Sequence, residues 1–142
     1  MAITAQDEMR SRPHSVAPTA AAFMELDVPA EVTRLLAETT WSSGQNARTL
    51  IKYDTLRVVL VALQAGRSLP EHKTEGRLTI HVLSGHLEVK AAERTFNLHA
   101  GGLLALDRNL SHEVLALQES VVLLTIAWPS RESDRVDIVP SR

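Results

Sequence analysis

From Thr49 to Trp128 the apolar residues recur at every second position in short runs, and no helical spacing returns. Leu78, Ile80 and Val82 alternate with Thr79 and His81, the pattern of a strand with one buried face. Thr55 to Leu63 reads as a strand whose apolar stretch runs unbroken from Val58 to Leu63. Leu87 to Lys90, Thr95 to Leu98, Leu103 to Leu106, Glu113 to Leu117 and Val121 to Trp128 supply further strands. Gly66, Gly76, Gly85, Gly101 and Gly102 fall between these runs as turn residues. Short strands with turn signals every eight to twelve residues or so predict an all-β sandwich or barrel.

Ahead of this region the spacing is helical. Pro29 suits a first helical turn, and Val32, Leu35 and Leu36 give one apolar face over a short helix that Trp41 ends. Ser42, Ser43 and Gly44 then turn the chain. Residues 1–28 contain Pro13, Pro18 and few large apolar groups, so they read as a flexible arm. Arg10 and Arg12 precede an alanine-rich stretch, Val16 to Met24, faintly like a secretion signal. Pro18 and Thr19 interrupt it, so a cytoplasmic protein is expected. The expected division is an arm (1–28), a helix and turn (29–48), a β-barrel domain (49–128) and a charged tail (129–142).

Two strands, Val58 to Leu63 and Val121 to Ile126, are apolar on both faces. A sandwich strand normally turns one face to water, so these need an outer cover. The N-terminal helix or a second copy could supply it, and a homodimer is expected.

Composition removes several classes. A chain of 142 residues makes one domain large enough to bury its own core. The net charge is −2 and aromatics are 4% of residues, so neither phosphate neutralisation nor base stacking is supported, and nucleic acid is not expected as a partner. Cysteine is absent, which excludes disulfides, thiolate metal sites and thiol nucleophiles. No apolar run approaches the roughly 18 residues of a spanning helix, so no membrane association is expected. Nucleophile elbows, phosphate loops and dinucleotide fingerprints are missing.

Two stretches carry more specific information: GRSLPEHKTEGRLTIHVLSG from Gly66 to Gly85, and GGLLALDRNLSHEV from Gly101. Over about residues 49 to 128 the chain resembles the cupin superfamily, whose fold is a double-stranded β-helix or jelly roll. Gly66, His72 and Gly85 match the first cupin motif, while Thr74 replaces its second His and Leu78 its Glu. Gly101 and His112 match the second motif, with Asp107, Asn109 and Ala116 replacing its Pro, Gly and Asn. The resemblance implies an all-β jelly-roll barrel preceded by a short helix.

Metal-binding cupins hold a divalent ion with three His and one Glu, of which this chain keeps His72 and His112. Catalytic metal sites usually supply three protein ligands. Glu71 could replace the lost carboxylate only by reversing strand parity, since it should point away from the face carrying His72; Glu75 is the other nearby carboxylate.

The expected site is therefore a small-molecule pocket inside the barrel formed by His72, Thr74, Leu78, Ile80, Val82 and His112, without a resident cofactor. The alternative is a metal-dependent enzyme of oxygenase or isomerase type, with a divalent ion on His72, His112 and an unidentified third ligand. A barrel filled by its own side chains, with a purely structural role, is the third reading. The two imidazoles could also act as acid and base, and whether the protein is an enzyme stays open. His14, in the arm, and His86 and His99, beside turn glycines, are expected to be solvated, and His81 to face outward.

Overall fold

The computed structural model describes residues 22–38, 41 and 44–130; most of the arm, His14, the turn serines Ser42 and Ser43 and the charged tail lie outside them. Helix α1 (Val28–Ala37) is followed by nine strands: β1 (Gln45–Lys52), β2 (Leu56–Leu63), β3 (Ser68–His72), β4 (Arg77–Ser84), β5 (His86–Ala91), β6 (Arg94–His99), β7 (Leu103–Leu106), β8 (His112–Ala116) and β9 (Ser120–Ala127). Among the described residues no helix is long and apolar enough to cross a membrane.

The strands form two antiparallel sheets, ordered β1-β2-β9-β4-β7 and β3-β8-β5-β6. β2 pairs with β9, β3 with β8, β4 with β7 and β5 with β6. That nesting is one long antiparallel hairpin wound over itself, the jelly roll the motifs implied. Alternation sets the core: Val59, Val61, Leu78, Ile80, Val82, Val122 and Ile126 of one sheet face Leu69, Leu87, Val89, Val114 and Ala116 of the other.

Part of the outward face of the doubly apolar strands is covered by α1. Leu35, fully buried, packs on Leu50, Leu60, Ala62 and Val121, with Val32 and Leu26 beside it. The helix starts where the Asp27 carboxylate accepts the Ala30 N–H at 3.1 Å, with Pro29 in the first turn. It runs for ten residues and stops at Ala37, where Glu38 turns extended (φ −70°, ψ 138°), and Trp41 Nε1–H donates to the Glu38 carbonyl at 2.9 Å. Glu38 in turn takes hydrogen bonds from Asn46 and Arg48 of β1, which ties the end of the helix to the sheet.

Two strands escape the alternation rule. β1 was not among the expected strands and begins inside the segment expected to be helix and turn (29–48), because its sequence QNARTLIK is mostly polar at one edge of its sheet. β3 carries Pro70, which has no N–H to donate, and it too lies at a sheet edge. The other strands start and stop within one residue of the expected bounds, except β4, which runs two residues past Val82 to Ser84.

The β4–β5 turn depends on Gly85. Its φ is +97°, and a Cβ there would lie 2.2 Å from Ser120 Oγ and 2.5 Å from the Glu119 carbonyl oxygen. Ser120 Oγ is fixed: it accepts the His86 N–H at 3.0 Å and donates to the Gln118 carbonyl at 2.8 Å. Gly66 also has a positive φ (+89°), yet nothing lies within 4 Å of its would-be Cβ. Gly85→Ala should therefore cost about 3 kcal/mol or more, from strain and overlap together. Gly66→Ala should cost about 1–2 kcal/mol from backbone conformation alone. Urea unfolding of both variants checks this, and equal losses would show that the Ser120 contact is not what constrains the turn.

Candidate functional site

β3 meets β8 at one end of the four-stranded sheet, and this pairing builds the site. Leu69 pairs with Val114, but the next aligned pair is His72 with His112, so β3 holds one extra residue between them. That bulge changes the side-chain parity of β3. Leu69 and His72, three residues apart, consequently share the inner face, and both line a cavity between the sheets. Glu71 is turned out, as parity predicts, where the Ser111 hydroxyl donates to its carboxylate at 2.6 Å.

On β8 the alternation is regular, and His112 and Val114 both point into the cavity. The two imidazoles meet edge to face, with ring centroids 4.3 Å apart and planes at 64°. His112 is 3% exposed, whereas His72 is only half-buried at the end of its strand.

Each ring is oriented by the carbonyl two residues before it. His72 Nδ1–H donates to Pro70 O at 2.7 Å, and His112 Nδ1–H to Leu110 O at 3.0 Å. A carbonyl can only accept, so the Nδ1 atoms carry the protons. In the neutral rings both Nε2 atoms are then left with free lone pairs.

The cavity has a volume of about 40 Å³, open on one side. Apart from the two imidazoles its walls are aliphatic, with Leu63, Leu69, Leu78, Ile80, Leu87 and Val122 among them. Of the six residues expected from sequence, His72, Leu78, Ile80 and His112 line it together. Thr74 and Val82 do not. Thr74 sits in the loop before β4, where its hydroxyl accepts the Gly76 N–H at 3.5 Å and its carbonyl the Asn109 N–H at 2.9 Å. Val82 is fully buried further along the core. The walls supplied by β2, β5 and β9 were readable as inward-facing positions, but nothing in the sequence singled them out from the rest of the core.

Among the described residues no three His, Asp or Glu side chains cluster as a metal site. Leu78 presents a hydrocarbon to the cavity, and both Glu71 and Glu75 are exposed. Two neutral imidazoles alone do not fit a tightly held divalent ion. At the second motif, Asp107 bonds outward. It accepts the Arg108 N–H at 2.8 Å and the Arg77 guanidinium at 3.0 Å, which together hold its carboxyl below the usual carboxylate range.

The remaining histidines lie elsewhere. His81 is half-buried on the outer face of β4. His86 and His99 are cross-strand partners stacked with centroids 4.0 Å apart, so they are paired where sequence spacing suggested nothing.

Burial holds the His112 pKa below its ordinary value of 6.5; the Leu110 carbonyl opposes this and the neighbouring His72 adds to it. The unfolded chain then takes up the proton first as pH falls. Stability from this group is complete above the unfolded value and is lost as pH drops toward the depressed folded value. Thermal melts between about pH 7.5 and about pH 5.5 should show a steeper fall for the wild type than for His112→Gln. Parallel curves would refute the assignment.

A family model described as a cupin domain matches residues 59–127. No curated protein matches the sequence. Among solved structures, a conserved protein of unknown function from Streptococcus pyogenes superposes with a TM-score of 0.64 at 19% identity, covering 84% of this chain and 100% of that one. A cupin superfamily protein from Desulfitobacterium hafniense gives 0.61 at 16% identity, over 66% of this chain and 85% of that one. Salicylate 1,2-dioxygenase from Pseudoaminobacter salicylatoxidans gives 0.60 at 17% identity, over 70% of this chain but 31% of its own. At these identities the likeness is one of fold. The family match runs from β2 to β9, the strands whose nested pairing winds the jelly roll, and sequence and fold agree on a cupin-type domain over these residues.

Proposed function

We propose that this protein is a small-molecule-binding cupin that works without a resident metal, its pocket lying between the sheets at the His72–His112 pair. The observation that carries this reading is the cavity itself: an apolar space lined by two imidazoles and, among the described residues, by no third metal-ligating side chain. Pockets of this kind bind through apolar contact and take orientation from a few polar groups. The second reading is a metal-dependent enzyme, and one observation favours it. Ligating histidines characteristically donate their other N–H to a carbonyl or carboxylate, as His72 and His112 do here. What it lacks is the third donor, since Leu78 stands at the carboxylate position and the Thr74 hydroxyl is engaged by Gly76.

Elemental analysis of protein purified without a metal-affinity tag separates the two. The wild type should carry well below one equivalent of any divalent ion, and a chelator should leave its melting temperature unchanged. Leu78→Glu, placing a carboxylate in the cavity beside both imidazoles, should acquire zinc-dependent stabilisation. The burial of that carboxylate costs several kcal/mol when no ion is present, so the zinc effect on its melting temperature should be large. Stoichiometric metal in the wild type that disappears in His72→Ala and His112→Ala would overturn the proposal and establish the enzyme reading.

A further inference from the structure

The cavity beside His72 and His112 is walled by strands of both sheets, and almost all of its surface is carbon. Leu63, Leu69, Leu78, Ile80, Leu87 and Val114 are among the residues that form it. The imidazoles add almost no polar surface to this wall. Each gives its Nδ1–H to a main-chain carbonyl, and the two rings pack against one another. Among the described residues no charged side chain lines the space.

Such a wall sorts occupants by polarity. An ordered water needs two to four polar partners, and apolar cavities stay dry while taking up small hydrocarbons or xenon. A hydroxyl, carboxylate or ammonium brought here gives up its hydration with almost nothing to replace it. A hydrocarbon leaves water at a gain and adds dispersion contacts with the aliphatic side chains around it.

Size narrows the class further. A volume of about 40 Å³ is roughly three times the space that one water needs, which admits a few carbon atoms. The cavity is open on one side, so a longer molecule inserts one end and keeps the other in solvent. We infer that the cavity receives the end of an aliphatic chain, from a small amphiphile whose polar group stays outside. This inference rests on the pocket reading above and names the ligand chemistry for that same site.

The test is a titration of the full chain, labelled with carbon-13 in its Leu, Val and Ile methyl groups and followed by NMR. The probes are xenon under pressure, n-butanol and 1,4-butanediol, with a polar group at neither end, one end and both ends. Xenon and n-butanol should shift the methyls of Leu78, Ile80 and Val114 saturably. The exposed Leu103 and Leu117 should drift only in proportion to probe concentration. The diol cannot enter without burying a hydroxyl, and should bind about tenfold more weakly than n-butanol, or worse. A diol that binds as tightly as n-butanol overturns the aliphatic selectivity while leaving the pocket in place. If no probe shifts a cavity methyl saturably, or saturation is seen only at Leu103 and Leu117, both this inference and the pocket reading fail.

Discussion

β9 is the constraint on which the rest of the molecule depends. It hydrogen-bonds to β2 on one side and β4 on the other, with its inner face buried and its outer face partly so. Val122, Leu124 and Ile126 pack into the space between the sheets, while Val121 lies under the helix. Leu123 and Thr125 on the outer face are only partly buried, so a one-residue slip would carry the inner apolar set to the wetter side. The nested pairs from β3 to β8 are wound against this fixed strand, and the cavity is bounded in part by it.

Within that frame the site rests on a local irregularity. Without the extra residue in β3, the face shared with Leu69 would pass to Glu71, and His72 would face solvent. Pro70 belongs to the same irregular stretch, and its carbonyl orients the His72 ring. The edge position of β3 is what permits both, since an interior strand could not lose the Pro70 N–H. One short edge strand therefore supplies an imidazole, its orientation and its tautomer.

Much of the architecture was legible because the inner strands obey a simple alternation. Leu78, Ile80 and Val82 announce β4 in the sequence, and Gly85 and Gly101 mark turns where φ is in fact positive. β1 and β3 were not legible, because at a sheet edge their polar residues and Pro70 are tolerated and erase the pattern, whereas the edge strands β6 and β7 keep their apolar residues. At the site, motif spacing located His72 and His112, and the fold brings their rings together. The same spacing placed Thr74 in the pocket, whereas the structure leaves it in a loop bonded to Gly76 and Asn109. Counting residues across a loop conveys separation along the chain but not which way the chain turns. Leu63, Leu87 and Val122 were hidden for another reason: a cavity wall and a packed core use the same residue types, and only coordinates reveal where packing is incomplete.

The helix has a consequence that reaches past packing. Leu60 lies under α1 while its neighbour Val61 lines the cavity, so a single strand separates the two. Leu26 packs on that same outer cluster, which brings the chain to Asp27 along the side of the sheet turned away from the imidazoles. The chain therefore enters its helix on the outer side of the five-stranded sheet, opposite the cavity. The two surfaces of one layer are thereby given different work: the outer one anchors the entry to the helix, and the inner one bounds the cavity.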